Sequence, residues 1–133
     1  MERTLGAVFD EEVVSAAAAE RGLDAAAVRR GLDAVQDAAE RAVSVDGLVY
    51  EWRRAFRFDP LVERTPEAYY LRVERRVWDH FADRCGFDDA TRAAVTTVHA
   101  VTAERRPDVA GRDDERRPDD EPSDHRPLVL VRR

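Results

Sequence analysis

Nine of the chain's ten aromatic residues, all but Phe9, lie between Tyr50 and Phe87. Aromatic side chains bury the most area each, so this central stretch has to organise the core. The flanks contribute mainly alanine and valine. With 133 residues, 44% of them hydrophobic and 38% charged, one core under a heavily charged surface is the expected outcome.

Local signals divide the chain. Asp10 is placed to cap a first helix, with Glu11 and Glu12 in its first turn and Val13, Val14, Ala17 and Ala18 as its apolar stripe. Gly22 ends that helix. Asp24 caps a second, which carries Val28, Leu32, Val35 and Ala39 and runs to about Ala42. Gly31, inside it, costs about 1 kcal/mol against alanine and marks a place where another element comes close. Asp46-Gly47 is a break. Leu48 to Phe58 is ambiguous: a strand puts Tyr50, Trp52, Phe56 and Phe58 on one face, whereas a helix groups Leu48, Trp52, Ala55 and Phe56. Aromatic enrichment tilts it towards strand.

Leu61 to Arg64 and Ala68 to Val73 read as a hairpin with Thr65-Pro66-Glu67 at its tip. A helix from Glu74 to Arg84 follows, with Val77, Trp78 and Phe81 inward, ended by Cys85-Gly86. The last helix starts at Asp88 or Asp89 and carries Ala94, Val95, Val98 and Val101. From Pro107 the chain is proline-rich, acidic and almost free of apolar residues, so residues 107–133 are expected to be a disordered tail beyond a globular domain of residues 1–106. Leu128 to Val131 within that tail reads as a frayed end, the alternative being a strand added to a sheet edge. The expected fold class is therefore α+β and mostly α: an N-terminal two-helix unit, a small antiparallel hairpin or sheet, a C-terminal two-helix unit and the tail.

All 22 basic residues are arginine, against 28 acids, for a net charge of −6. This excludes a strongly basic binder of nucleic acid. An acidic, lysine-free surface fits both a GC-rich genome and a salt-rich cytoplasm, where guanidinium is the more weakly hydrated cation. No apolar run approaches the roughly 20 residues of a membrane span, and the start, MERTLGAVFDEE, has no stretch suited to a secretory signal. A cytoplasmic location is expected. The single cysteine excludes an internal disulfide. No nucleotide-binding glycine loop occurs, and no cofactor is expected.

The most functional-looking feature is a band from Trp52 to Arg76. Arg53, Arg54, Arg57, Arg64, Arg72, Arg75 and Arg76 lie there against only Asp59, Glu63, Glu67 and Glu74. Tyr69 and Tyr70 offer stacking surfaces, and arginine forks suit carboxylate or phosphate. The competing account pairs these arginines with the chain's own acids and places the rings in the core. His80, with Asp79, Asp83 and His99, is a weaker acid–base or metal candidate, and Cys85, at a helix C-terminus, reads as structural.

AAAAERGLDAAAVRRGLDAV, within residues 10–42, resembles a helix-turn-helix. With the hairpin, the resemblance implies a winged helix, with Ala25, Ala26, Arg29 and Arg30 at the end that reads DNA and Arg64 near a wing. Asp33, Asp37 and Glu40 on the same helix repel phosphate. The pattern also resembles small ubiquitin-associated-type modules, which bind proteins. The run YEWRRAFRFDPLVERTPEAYYLRVERRVW, together with that segment, looks like small uncharacterised proteins of halophilic archaea that carry a domain of unknown function, over roughly residues 9–104. That resemblance implies no catalytic residues. The function expected is a non-enzymatic interaction module binding a protein partner through the arginine–aromatic surface. The alternative is a divergent winged-helix DNA-binding regulator.

Overall fold

The computed structural model describes residues 5–42, 45–55, 60–106 and 125–132. The elements run α1 (Leu5–Val8), α2 (Glu11–Glu20), α3 (Ala25–Ala42), α4 (Val45–Ala55), β1 (Leu61–Arg64), β2 (Ala68–Glu74), α5 (Arg75–Cys85), α6 (Asp89–Glu104) and β3 (His125–Val131). The architecture is the expected mostly helical α+β class, with a three-stranded antiparallel sheet in the order β1-β2-β3.

Two of the expected caps, Asp10 and Asp88, are in place. The Asp10 carboxylate accepts the Glu12 N–H at 2.8 Å, and Asp88 accepts the Thr91 N–H at 2.7 Å. Gly86 closes α5 with φ +69°, a conformation that only glycine adopts without strain. In the hairpin, Thr65 Oγ1 accepts the Ala68 N–H at 3.0 Å, and Arg64 pairs with Tyr69.

Two expectations are corrected. Residues 45–55 form a helix, not a strand. Val45, Leu48, Val49 and Trp52 recur at i, i+3, i+4 and i+7, and this stripe packs against the core. Phe56 and Phe58, which favoured the strand, lie outside the described residues.

The second correction concerns the C-terminus. Leu128 to Val131 is no frayed end. It belongs to β3, which pairs with the whole of β2, from Ala68↔Val131 to Glu74↔His125. The tail expected from residue 107 therefore does not run to the end of the chain; the disorder expected of residues 107–124 lies outside the described residues. Leu128, Val129, Leu130 and Val131 are each at most 1% exposed. A strand buried on both faces reads as a continuous apolar run rather than an alternating one.

β3 is an edge strand, yet its outer edge is closed by helix side chains. Gln36 of α3 accepts the Val131 N–H at 2.9 Å and donates to the Val131 carbonyl at 2.8 Å. His99 of α6 accepts the Val129 N–H through Nδ1 at 2.9 Å. Trp78 of α5 donates from Nε1 to the Pro127 carbonyl at 3.0 Å. Three helices thus satisfy alternate residues of the strand, the ones whose polar groups face away from β2.

α3 is the central helix, packed on by α2, α4, α5, α6 and β3. Gly31 permits this. A Cβ there would meet Val95 Cγ2 of α6 at 2.6 Å, so the close approach expected from the sequence is present.

Candidate functional site

The structure disperses the arginine–aromatic band. Tyr69 and Tyr70 are only 6% and 7% exposed. Their rings are also already covered from within the chain: the Arg132 guanidinium lies 4.9 Å from the Tyr69 centroid and that of Arg106 5.3 Å from Tyr70. They are core residues with internal cation–π partners, not open stacking platforms. Arg106 also holds Glu63 with a forked pair, Nε lying 3.1 Å from each carboxylate oxygen. Burial pushes the Tyr70 hydroxyl pKa up, partly offset by Arg106.

The described arginines of the band are spread over α4, the sheet and α5. Arg64 pairs with Tyr69 at one end of β2, and Arg75 follows Glu74 at the other. At about 3.3 Å per residue the two ends are about 20 Å apart. Arg76 is bound to Glu74 at 2.8 Å. Arg53 and Arg72 are engaged within the chain. Arg54 lies over the exposed ring of Tyr50 on α4, 5.6 Å from its centroid. Arg57 lies outside the described residues.

The helix-turn-helix-like pair is α2 and α3. Arg29 is ion-paired with Glu11 of α2. The exposed strip of α3 carries Arg29, Arg30 and Arg41 among Asp33 and Asp37, a mixed surface on a helix otherwise enclosed by its neighbours.

The histidine candidate separates as well. His99 is 1% exposed, with its ring edge-on to Phe9 and Trp78, each at 4.9 Å between centroids. Burial lowers its pKa to about 3, so it is a neutral structural acceptor with its proton on Nε2. Asp79 is committed to Arg92, whose hydrogen bond holds the carboxyl below its usual range. Among the described residues no group of three or more His, Cys, Asp or Glu side chains is arranged to hold a metal. Burial raises the Cys85 thiol pKa.

What the fold does assemble is a cleft where α3, α4 and α5 meet, with a volume of about 220 Å³. Its apolar wall is Ala38, Leu48, Trp52 and Phe81, with the Trp52 and Phe81 rings edge-to-face at 6.3 Å. Its polar rim is Arg41, His80 and Arg84. Arg41 lies in the last turn of α3 and Arg84 in the last turn of α5, where a cation is favoured by the helix dipole. Both are exposed, and neither has an ion pair among the described residues.

By contrast Arg29, Arg76, Arg92, Arg105 and Arg106 each hold a carboxylate. Of these cleft residues, Trp52 marks the start of the expected band and His80 belonged to the acid–base candidate; Arg41, Arg84 and Leu48 were not anticipated as site residues. The only local signal for the two arginines is that each closes a helix. Their meeting depends on how the helix ends pack.

No helix among the described residues is long and apolar enough to cross a membrane. No curated protein and no solved structure matches the chain. A family model described as a domain of unknown function, DUF8048, matches residues 7–132.

Proposed function

Since the chain belongs to the DUF8048 family, a description that assigns no activity, we propose from the geometry that it is a non-enzymatic interaction module that docks a protein partner in the α3–α4–α5 cleft. The arginine–aromatic surface expected between residues 52 and 76 thereby shifts to Arg41, Arg84 and Trp52. One observation carries the proposal: two guanidinium groups without ion-pair partners among the described residues border one open apolar cleft, whereas Arg29, Arg76, Arg92, Arg105 and Arg106 each hold a carboxylate.

The two guanidinium groups of the rim favour binding. Guanidinium stays protonated at neutral pH and serves as a donor fork, not as a base. The proposed setting is the cytoplasm of a salt-loving archaeon, on the strength of the lysine-free, acid-rich composition. There screening is strong, and short contacts outweigh long-range attraction.

Affinity purification from a salt-rich lysate, with and without nuclease, tests this. The wild-type chain and a chain carrying Arg41→Gln and Arg84→Gln are compared. The expected result is one partner protein recovered by the wild type, insensitive to nuclease and lost with the double substitution. Equal recovery by both chains would overturn the cleft as the docking site. Recovery that nuclease abolishes would replace it with the DNA-binding reading.

A further inference from the structure

We infer, resting on the docking proposal above, that the cleft recognises one apolar side chain flanked by carboxylates, as in a short acidic segment of a partner protein. At about 220 Å³ the space falls below the roughly 300 Å³ at which pockets for small molecules begin. It suits a single inserted side chain. Leu48 and Trp52 are half-buried and Phe81 is buried at its floor, so an entering leucine or aromatic group would meet apolar surface on several sides.

Charge fixes what surrounds that anchor. Arg41 and Arg84 border the space from two different helices, and each can form a paired hydrogen bond with a carboxylate. A second open cleft among the described residues, between α2 and α6, has the opposite character: Glu12 and Glu20 line it, and its one arginine, Arg105, is bound to Asp10 at 3.4 Å. Of these two clefts one is cationic and the other largely acidic, and the cationic one is the one that attracts an acidic segment.

A protein segment fits better than nucleic acid. Phosphate binding gains affinity from many cations and the counterions they release, whereas this rim offers two on a chain of net charge −6. An arginine–carboxylate fork works at contact distance and survives strong screening better than diffuse attraction does.

The test uses the full-length chain, labelled with ¹⁵N, in about 1 M salt, where the Debye length is about 3 Å. Three probes are titrated: a blocked short peptide of one leucine among glutamates, the same peptide with glutamines in place of the glutamates, and an oligothymidylate. The expected result is that the glutamate peptide shifts the Trp52 indole and the amides of Leu48 and Arg84, and leaves those of Ala16 and Thr97 in the α2–α6 cleft unmoved.

The glutamine peptide should bind at least about fivefold more weakly, and Arg41→Gln or Arg84→Gln should each cost about fivefold, the upper range for an exposed ion pair. Arg84→Lys, which keeps the charge and loses the fork, should fall between wild type and Arg84→Gln. Equal binding of the glutamate and glutamine peptides would overturn the carboxylate inference and leave docking in the cleft standing. No shift at the cleft with either peptide would overturn both. Oligothymidylate binding there in preference to the glutamate peptide would replace the proposed segment by nucleic acid.

Discussion

The side-chain amide of Gln36 pairs with both backbone polar groups of Val131, accepting its N–H at 2.9 Å and donating to its carbonyl at 2.8 Å. Gln36 is 2% exposed and Val131 is fully buried. A side chain from α3 thus occupies the place of the next strand. Removing it leaves a buried donor and a buried acceptor unmet. Gln36→Leu should therefore destabilise the fold by about 2–6 kcal/mol, taking the cost of each unsatisfied group as about 1–3 kcal/mol. Urea unfolding at fixed salt checks the magnitude. Hydrogen exchange at the Val131 amide checks the place, since that proton should lose protection first.

His99 makes stability depend on pH in a defined window. Its pKa is about 3 in the folded chain because burial penalises the imidazolium, against about 6.5 unfolded. Between those values the unfolded chain binds one proton more than the folded chain, so stability rises with pH. Full stability is present above about 6.5 and is lost as pH falls towards 3, at a slope approaching 1.4 kcal/mol per pH unit. Asp79 and Asp88, held low by Arg92 and Thr91, contribute only around and below their ordinary 3.8. Chemical unfolding measured between pH 4.5 and about 6.5 isolates the histidine. His99→Asn, which offers an acceptor oxygen to the Val129 N–H and does not titrate, should flatten the slope there.

Gly31 should resist replacement by alanine although the substitution favours helix. Propensity gains about 1 kcal/mol. The added Cβ would sit 2.6 Å from Val95 Cγ2 of α6, with Phe87 at 3.6 Å behind it, and overpacking a core typically costs about 1–3 kcal/mol. The net expectation is destabilisation. Adding Val95→Ala should recover part of it, so that a double-mutant cycle gives a coupling of opposite sign to the loss.

These positions show which physics is local. Asp10, Asp88 and Gly86 act within one turn of their own helices, and Thr65 within its own hairpin, so their roles follow from neighbouring residues. Even Gly31 could be read, because a glycine inside a helix needs a reason. Roles set by distant partners are not local. Residues 48–58 tilt towards strand because the aromatic residues from Tyr50 onward outweigh a helical stripe that begins earlier, at Val45. Leu128 to Val131 reads as a loose end in the sequence because its partner strand, β2, lies more than fifty residues away. The cleft is the extreme case. Arg41 and Arg84 come from two helix ends, and only the packing of α3 against α5, with α4 laid beside them, makes them neighbours. The rings expected to dock a partner were instead used by the core, with Arg106 and Arg132 as their cations.

The C-terminal strand offers the sharpest test of the fold. Leu130 is 0% exposed and stands opposite Tyr69 in the register. Its truncation removes buried methyl groups and leaves a cavity, so Leu130→Ala should cost about 2–5 kcal/mol. A residue in a frayed tail would shift stability by no more than about 0.5 kcal/mol. Denaturant unfolding separates the two by several-fold. The same variant should weaken the Trp78 contact to the Pro127 carbonyl, which depends on β3 holding its register. Indole Nε1–H exchange reports on it: faster exchange in Leu130→Ala than in the wild type is expected if β3 is the element that holds α5 to the sheet.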